Sequence, residues 1–409
     1  MRTTGSLHIL HVTPYYREAW GYGGIPRVVT SVCRGLVRLG HRVTVCTTDA
    51  RDANSRTDPG LAGESVRDKD GVEVHTFPNV SNHLAYHQQF FMPLGLRRYL
   101  RQHGEEFDVA HLHGYHHLPG SIAATELRRA GIPYVVAPNG TAPRIERRRV
   151  AKWVFDNTIG RDVLAGARRV VAVTEAEKRQ LERLGVPPER ISIIPNPVDI
   201  DAFSNPPPRA NFRRRLGAPF ERFVLYLGKM TPRKGVEILV EAFSRLRRPG
   251  LGLVIAGNDM GSGASIRRVV RELNLEESVR FAGQLEGGER VEALVDAEVL
   301  AYPGRDEIFG LVPLEAILSG TPVVVADDSG CGEIIQKIGG GRVVSQGSVE
   351  ALADGIRAVM EERMQTHFTL EEARARIRRL FSCDVVAAAL GEIYHDLAAD
   401  SSFSEKRAG

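Results

Sequence analysis

The sequence predicts an α/β protein made of two doubly wound, Rossmann-like domains. Three observations predict this fold class. The chain has 409 residues, which is too long for one ordinary hydrophobic core. Short β-rich runs alternate with amphipathic helical patterns along almost the whole chain, an order typical of parallel sheets covered by helices on both faces. The alternation restarts after a proline-rich stretch, residues 205–219, which has no apolar periodicity and is predicted to connect the domains.

The first domain is predicted to span residues 1–204, and its strands are predicted from short runs rich in β-branched residues. The runs are LHILHVT (7–13), RVTVCTT (42–48), VEVHTF (72–77), DVAHLHG (108–114), YVVAPNG (134–140), RVVAVT (169–174) and ISIIPN (191–196). Their alternation with helical patterns predicts a parallel sheet.

The second domain is predicted to span residues 205–382. Its predicted strands are FVLYLG (223–228), LGLVIAG (251–257), VRFAG (279–283), VLAYPG (299–304) and PVVVAD (322–327). The segments between them are amphipathic, because their apolar residues recur at i, i+3, i+4 and i+7, as in Val236, Leu239, Val240 and Phe243. In doubly wound sheets ligands bind at the carboxyl ends of the strands, so two such domains that face each other leave a cleft between them.

Composition and charge limit the class of protein. No apolar run approaches the roughly 18 residues of a membrane span, and the N-terminus lacks the order of a signal peptide, so a cytoplasmic protein is predicted. The four cysteines are far apart and form no CxxC pair, which predicts neither a zinc site nor a disulfide framework. Residues 1–200 contain 27 Lys and Arg against 20 Asp and Glu, a net charge of +7. This basic half suits an anionic partner such as a membrane face.

A glycine-rich turn follows the first strand. In GYGGIPRVV (21–29), Gly23 and Gly24 stand just before a predicted helix, where backbone N–H groups can approach an anion at the positive end of that helix. The same turn is also consistent with simple chain reversal.

Three cations follow the first strand of the second domain. In GKMTPRKGVEIL (228–239), Lys229, Arg233 and Lys234 lie between a strand end and a helix start. Cations oppose the dipole of a helix at its N-terminus, so ordinary surface charge is a poor explanation. A polyanion bound between the cations and the helix removes the conflict.

Two carboxylates flank a predicted helix start in EIFGLVPLE (307–315). Pro313 suits the first helical position, which places Glu315 in the first turn and Glu307 in the preceding loop. The free N–H groups of residues 309–312 then point to the same side. The two acids could accept hydrogen bonds from a ribose and from a second sugar. In the alternative interpretation, Glu315 only complements the helix dipole and Glu307 is solvated.

These motifs together resemble family 4 of the retaining glycosyltransferases, which have the GT-B fold. The resemblance is carried by EIFGLVPLE with the following AILSGTPVVVAD, by GKMTPRKG, by IIPNPVD (193–199) and by GGIPRVV, in this family's order and over nearly the full chain. It implies a GT-B architecture of two Rossmann-like domains facing across a cleft. It also implies that the helix of the last segment, 383–409, crosses back onto the N-terminal domain.

The resemblance implies transfer of a sugar from a nucleotide diphosphate sugar to a hydroxyl of a lipid-linked or polysaccharide glycan, without a metal or other cofactor and without a nucleic-acid partner. It implies that Lys234 binds the diphosphate, that Glu307 binds donor sugar hydroxyls and that Glu315 binds the ribose. The other candidate donor-binding residues are Gly23, Gly24, Lys229, Arg233, Gly283, Gln284, Phe309, Gly310 and Leu311.

Two positions depart from the family pattern. Lys229 stands where the family usually has arginine, so a forked phosphate grip becomes a point charge. Asn139 stands where the family commonly has histidine, and an amide cannot act as a general base, which leaves it hydrogen bonding to donor or acceptor. Asn139 remains a candidate catalytic residue. A front-face mechanism, in which the departing phosphate takes the acceptor's proton, asks mainly for stabilisation of charge on the diphosphate.

Three weaker signals stay open. His111 and His113 either face the cleft or are buried structural residues. The run RIERRRVAKWVF (144–155) is either a basic helix that contacts an anionic membrane or an ordinary solvated helix. The DxD strings at 68–70 and 199–201 match a metal-binding pattern of other transferases, but lack the expected strand context, so no metal is assigned.

Other functions remain as alternatives. A GT-B epimerase or hydrolase of sugar nucleotides would turn over the donor without an acceptor. A two-domain sugar-binding protein would need no cationic site, and a glycoside hydrolase would use two carboxylates but no diphosphate site.

Overall fold

The computed structural model describes residues 5–17, 19–52, 55–57, 65–143, 149–362 and 367–408. The chain forms two compact units: unit 1 comprises Met1–Pro197 and Cys383–Gly409, and unit 2 comprises Val198–Ser382. The predicted boundary after residue 204 therefore falls just inside unit 2. Among the helices that the structure describes, none combines the length and the apolar character needed to cross a membrane.

Unit 1 is built on an eight-stranded sheet. Its strands are β1 (His8–Val12), β2 (Arg42–Thr48), β3 (Ser65–Arg67), β4 (Glu73–Phe77), β5 (Val109–His113), β6 (Tyr134–Ala137), β7 (Arg169–Ala172) and β8 (Ile191–Ile193). Their order is β3-β4-β2-β1-β5-β6-β7-β8, and all neighbours are parallel except β3 and β4. All seven predicted strands are confirmed. The short antiparallel edge strand β3 was not predicted.

Helices cover both faces of this sheet. They are α1 (Ile25–Arg38), α2 (Asn82–Gln88), α3 (Leu96–His103), α4 (Leu118–Arg129), α5 (Arg149–Asn157), α6 (Ile159–Gly166) and α7 (Glu175–Arg183). Strand residues such as Leu10, Val12 and Leu112 are fully buried in a core that includes Leu100 of α3 and Leu127 of α4. This core holds the strands in place and so fixes the loops at their carboxyl ends.

Unit 2 is built on a six-stranded parallel sheet. Its strands are β9 (Arg222–Leu227), β10 (Leu251–Ala256), β11 (Val279–Gly283), β12 (Val299–Tyr302), β13 (Val323–Ala326) and β14 (Gly341–Val344). Their order is β11-β10-β9-β12-β13-β14. The five predicted strands are confirmed, and β14 was not predicted. The prediction of two doubly wound α/β domains is therefore confirmed.

The helices of unit 2 include one inside the predicted connector. They are α8 (Asn211–Leu216), α9 (Val236–Ser244), α10 (Gly263–Glu272), α11 (Gly287–Asp296), α12 (Leu311–Leu318), α13 (Gly330–Ile338), α14 (Val349–Glu362) and α15 (His367–Phe381). Helix α8 lies within 205–219, where no regular structure was expected. It forms because Phe212 is buried against Phe223 and because the Asp296 carboxylate accepts hydrogen bonds from the N–H groups of Ala210 and Arg213.

The chain ends with α16 (Cys383–Ala408), which packs on α1 of unit 1. Gly35 of α1 permits this close approach. A Cβ at Gly35 would lie 2.6 Å from the Cβ of Ala387 and 2.7 Å from the carbonyl oxygen of Cys383. A side chain at that position would therefore push the two helices apart.

Candidate functional site

The topology of unit 2 identifies where a ligand can bind. Strands β10 and β11 lie on one side of β9, whereas β12, β13 and β14 lie on the other. In doubly wound sheets ligands bind where the strand order reverses, at the carboxyl ends of the strands. In unit 2 this point lies between β9 and β12. The segments that leave it are residues 228–235 and 303–310, which contain half of the predicted donor-binding residues, among them Lys234 and Glu307.

Lys234 and Glu307 meet at this point. Lys234 ends the 3-10 helix Pro232–Lys234, and its Nζ donates hydrogen bonds to the Glu307 carboxylate and, over 3.0 Å, to the Tyr302 hydroxyl. The Lys234 ammonium also lies 5.0 Å from the centre of the Tyr302 ring. Burial acts to raise the pKa of Glu307, but Lys234, together with Arg233 and the Tyr302 hydroxyl, outweighs burial and holds this pKa below its ordinary value. The result is a largely buried ion pair at the strand ends.

The loop that contains Glu307 is held from several sides. Its carbonyl oxygen accepts hydrogen bonds of 2.8 Å from both the N–H group of Cys331 and the Ser329 hydroxyl. Arg233 makes two hydrogen bonds to this loop. Its backbone carbonyl accepts from the N–H group of Arg305 at 2.9 Å, and its side-chain Nη1 donates to the Asp306 carbonyl at 3.1 Å. Arg233 therefore positions the loop that precedes Glu307.

The start of α12 offers backbone donors beside this loop. The helix begins at Leu311, and its N-cap residue, Gly310, has φ 76°, a left-handed conformation that favours glycine. Within the described chain no side chain caps this helix start, so the N–H groups of Leu311 and Val312 are free of side-chain caps. Phe309 is buried and packs edge-on against Phe381.

The helix boundary corrects two expectations for EIFGLVPLE. Because α12 begins at Leu311, Pro313 is its third residue rather than its first, and Glu315 lies beyond the first turn. Glu315 is buried, and its carboxylate accepts a hydrogen bond from Arg290 Nη1 of α11. Burial raises the pKa of Glu315, and Arg290 acts in the opposite direction. Glu315 is thus more than a residue that complements the helix dipole.

The remaining candidates of unit 2 lie at the same edge of the sheet. Lys229 is half-buried, and its carbonyl accepts a 2.7 Å hydrogen bond from the Tyr226 hydroxyl. Gly283 ends β11 with φ 71°, and its carbonyl accepts a hydrogen bond from the N–H group of Gly257. Gln284 is exposed and donates to the Glu286 carboxylate over 3.1 Å.

The candidates of unit 1 follow β1 and β6. Gly23 has φ 106°, and Gly24 is the N-cap residue of α1. Asn139 follows β6 with φ 52°, a conformation that asparagine tolerates better than most residues. Its Nδ2 donates to the Ala137 carbonyl over 3.1 Å, whereas its buried Oδ1 has no hydrogen-bond partner among the described residues.

Two residues that the sequence did not single out hold the loop of Asn139. Glu177 is fully buried, and its carboxylate accepts hydrogen bonds from the N–H groups of Gly140, at 2.5 Å, and Val173, at 2.8 Å. His116 bonds the Thr141 carbonyl at 2.7 Å and the Asp156 carboxylate at 2.8 Å. Thr174 and Glu177 match the S/T-x-x-E signature of a helix start, but no motif could have identified the contact of Glu177 with Gly140, which lies in a separate loop.

The weaker candidates have other partners. His111 and His113 are 2% and 1% exposed, so they are buried structural residues of the sheet rather than surface groups. Asp68 and Asp70 of the first DxD string form ion pairs of 2.6 and 2.9 Å with Arg17.

The basic run is described only in part, since residues 144–148 lie outside the described residues. Helix α5 forms over its second part and exposes three apolar side chains, those of Val150, Trp153 and Val154, with exposed fractions of 76%, 53% and 48%. Phe155 faces inward against Tyr115.

Comparisons with known families account for most of the chain. Residues 22–202 match the family described as Glycosyltransferase Family 4. Residues 209–379 match the family described as Glycosyl transferases group 1. The two matches follow one another, one largely in unit 1 and the other within unit 2.

Two of the similar curated proteins have the same name. The D-inositol 3-phosphate glycosyltransferase of Kineococcus radiotolerans is 31% identical over 363 residues, which is 83% of this chain and 81% of the relative. The protein of the same name from Acidothermus cellulolyticus is 29% identical over 412 residues, 96% of this chain and 90% of the relative.

Solved structures share the fold at lower identity. HepE of Anabaena, in complex with UDP and glucose, has a TM-score of 0.75 and 19% identity, covering 95% of this chain and 99% of that one. Sucrose-phosphate synthase from Thermosynechococcus elongatus has a TM-score of 0.74 and 21% identity, covering 96% and 100%.

Proposed function

This chain belongs to the group 1 glycosyltransferases, with the GT-B fold, and we propose that it transfers a sugar with retention of anomeric configuration. The donor is a nucleotide diphosphate sugar and the acceptor a hydroxyl group. The observation that carries this proposal is the buried group of Lys234, Glu307 and Tyr302 at the strand-order reversal of unit 2, beside the uncapped start of α12.

The proposed chemistry follows a front-face course. The bond between the anomeric carbon and the diphosphate oxygen breaks, and the acceptor oxygen bonds to the same face of that carbon. The departing phosphate oxygen takes the acceptor's proton. Negative charge develops on the diphosphate, so preorganised donors at that position lower the barrier. Lys234, the N–H groups of Leu311 and Val312, and nearby Lys229 supply them without a step that involves a metal ion.

Glu307 has two tasks in this proposal. In the described state its carboxylate is paired with Lys234. When the donor binds, its diphosphate replaces Glu307 as the partner of Lys234. The Glu307 carboxylate then accepts hydrogen bonds from the donor sugar. The carbonyl of Glu307 stays bonded to Ser329 and Cys331, which keeps the carboxylate near its bound position during this exchange.

Other residues would hold the nucleotide. A carboxylate has about four lone-pair positions, so Glu315 can keep its hydrogen bond from Arg290 and still accept from ribose hydroxyls. The exposed Gln284 and the backbone of Gly283 are assigned to the base. In unit 1, Gly23 and Gly24 are assigned to the phosphates, and Asn139 to a hydrogen bond with donor or acceptor.

Known proteins suggest which substrates to test first. Structures with this fold are solved with UDP and with UDP-glucose, and curated relatives are named D-inositol 3-phosphate glycosyltransferases. We therefore propose UDP-glucose and D-inositol 3-phosphate as the first pair. A lipid-linked or polysaccharide glycan remains the broader acceptor class.

A substrate screen tests this function. Purified protein is screened by thermal shift against UDP-, GDP- and ADP-sugars, where a ligand at 100 times its Kd stabilises by about 2.7 kcal/mol. The best donor is then incubated with each acceptor, and NMR of the product gives the anomeric configuration. Inversion would contradict the mechanism, and turnover of donor without any acceptor would favour a hydrolase or epimerase. Failure of every donor to stabilise the wild type would contradict the whole assignment.

We also propose that α5 contacts an anionic membrane. Val150, Trp153 and Val154 are exposed on a helix that follows a strongly basic segment, and such a combination binds anionic lipid surfaces. The test is cosedimentation with vesicles with and without anionic lipid. Trp153→Ala with Val154→Ala should reduce binding, whereas Leu184→Ala, on an exposed apolar residue of α7's end, should not. Equal binding by all variants would contradict the assignment to α5.

A further inference from the structure

Three histidines of unit 1 point to the same face of its sheet. His11 of β1 and His111 of β5 are register partners on neighbouring parallel strands. His113 follows His111 by two residues, and side chains two apart on a strand lie on the same face. A His-X-His pair on one strand with a third histidine on the next strand is an arrangement that can bring three imidazoles to one point.

The three rings are close together and buried. One ring nitrogen from each histidine lies within 4.8 Å of one from each of the others. His11 Nδ1 is 2.8 Å from His113 Nε2, and the ring centres of His111 and His113 are 4.1 Å apart. The three side chains are 0%, 2% and 1% exposed.

Half of the ring nitrogens in this cluster are not satisfied by protein. His11 Nδ1 and His113 Nε2 bond each other, and His111 Nδ1 bonds the Tyr394 hydroxyl of α16 at 2.6 Å. His11 Nε2, His111 Nε2 and His113 Nδ1 are buried without a hydrogen-bond partner among the described residues. Buried polar atoms are normally paired, so three orphans in one cluster suggest a ligand.

The chemistry of these side chains favours a cation as that ligand. The group that the three residues share is an imidazole, and a ring nitrogen without a proton offers one lone pair to a metal ion. Neutral imidazole suits zinc and similar transition-metal ions and suits magnesium or calcium poorly.

We propose that His11, His111 and His113 form a binding site for one divalent transition-metal ion, zinc being the best match. His111 binds through Nε2, which leaves its Nδ1–H to donate to the Tyr394 hydroxyl 2.6 Å away, and such an outer hydrogen bond is the usual way of fixing a metal-binding imidazole. The hydrogen bond between His11 and His113 is given up on binding. Because the cluster is enclosed, the site is structural, and it ties the sheet of unit 1 to α16.

This site shares no residue with the proposed sugar transfer, which is assigned to Lys234, Glu307 and the start of α12 in unit 2 and to Gly23, Gly24 and Asn139 in unit 1. A protein with no metal in the transfer step can still contain a structural metal ion. The transfer assay and the metal assay therefore fail or succeed separately.

The test begins with removal of a competing surface site. His83 and His87 are exposed one helical turn apart on α2, with ring centres 4.5 Å apart, and such a pair binds transition metals without biological meaning. The full-length His83→Ala/His87→Ala protein is therefore the parent. It is stripped with chelator, dialysed against Co²⁺ as a spectroscopic substitute for zinc, and measured by elemental analysis and visible absorption.

The expected result is one cobalt ion per chain with the visible bands of a tetrahedral nitrogen site, and a higher Tm of the loaded parent. His113→Gln in this parent should abolish the bands and the gain in Tm. Tyr394→Phe should weaken metal affinity by about 10- to 100-fold, the usual effect of an outer hydrogen bond. Circular dichroism establishes that each variant is folded.

Two results would overturn the proposal. One is a folded parent that takes up no cobalt, in which case the cluster is only a neutral hydrogen-bonded network. The other is an unchanged cobalt spectrum in His113→Gln, which would place the metal elsewhere. Cobalt uptake is measured on the parent protein alone, so the proposal can be contradicted even if the histidine variants do not fold.

Discussion

The Nζ of Lys234 donates a hydrogen bond to the carboxylate of Glu307, two residues that are 73 positions apart in the chain. The pair fixes the lysine in a largely buried place, with the Tyr302 hydroxyl as a second partner. A donor diphosphate then meets a cation that is already positioned. Such preorganisation is what electrostatic stabilisation of a leaving group requires.

Lys234→Ala should lower kcat by about 10² to 10³, the effect of losing one preorganised donor to developing negative charge. Steady-state kinetics with the donor found by thermal shift is the measurement. Tyr302→Phe is the matched control, since it removes the 3.0 Å hydrogen bond but keeps the lysine and the ring, and we expect a much smaller loss. Wild-type turnover in Lys234→Ala would contradict the assigned role.

Asn139→Ala should reduce kcat/KM less than Glu307→Ala. Asn139 offers one free acceptor atom, whereas Glu307 is both a partner of Lys234 and the proposed ligand of the sugar. Asn139→Gly separates two effects, because glycine removes the amide and keeps the left-handed backbone without strain. A larger loss of kcat/KM in Asn139→Ala than in Glu307→Ala would show that unit 1 contributes more to catalysis than proposed.

Arg290→Met should destabilise the protein by about 3 kcal/mol or more, because it leaves the buried Glu315 carboxylate without its cation. Urea unfolding measures the free energy. Arg245→Met is the control, since the ion pair of Arg245 with Glu350 is exposed, and we expect a loss below about 1 kcal/mol. Equal losses in both variants would show that Glu315 does not depend on Arg290.

Gly310→Ala should cost about 1 to 3 kcal/mol of stability and should raise the donor KM. Its left-handed φ disfavours a side chain, and an added Cβ would lie 2.5 Å from Cys331 Sγ. To relieve this contact the backbone at residue 310 would have to move, which would take the N–H groups at the start of α12 away from the diphosphate. Gly288→Ala in α11 is the control, because nothing lies within 4 Å of its added Cβ. An unchanged donor KM in Gly310→Ala would contradict the proposal that these N–H groups bind the diphosphate.

Glu177 should make stability depend on pH near neutrality. Burial raises its pKa from an ordinary 4.5 to about 7, while the bonds from Gly140 and Val173 oppose the rise. The folded protein therefore holds the proton more tightly than the unfolded chain, so this contribution is complete below about pH 4.5 and disappears as pH rises through about 7.

Relative to Glu177→Gln, which does not titrate, the wild-type free energy of unfolding should fall by on the order of 3 kcal/mol between acid and mildly alkaline pH. Chemical unfolding at a series of pH values gives the two curves. Parallel curves would mean that the pKa of Glu177 is not raised in the folded state.

The fold was largely predictable from sequence because its strands are buried on both faces and therefore appear as short apolar runs such as FVLYLG and PVVVAD. Two strands were missed for a physical reason. β3 (SVR) and β14 (GRVV) are edge strands with no buried residue and with one and two apolar residues, so neither appears as an apolar run. Helix α8 was missed because its stability comes from Phe212 and Asp296, which are tertiary contacts.

The candidate site was predictable only at its motifs. The position of Lys234 and Glu307 after two strand ends followed from the sequence, because parallel strands bring their carboxyl ends to one edge. Their partners did not. Arg290 and Glu177 meet Glu315 and Gly140 through the packing of separate elements, and a single sequence contains no signal of that contact. The error in the start of α12 arose from giving Pro313 the first helical position, whereas Gly310 ends the loop.

The return of the chain to unit 1 has a consequence for synthesis. Unit 1 is discontinuous: it stops at Pro197 and is completed only by α16, which leaves the ribosome after the whole of unit 2. Unit 2 can therefore finish folding first. At that stage α1 and His111 of unit 1 still lack their contacts with α16, which include the hydrogen bond between His111 and Tyr394. A premature stop shortly before Cys383 would thus damage the N-terminal half of the molecule and leave the C-terminal half intact, the reverse of what a linear arrangement of domains would give.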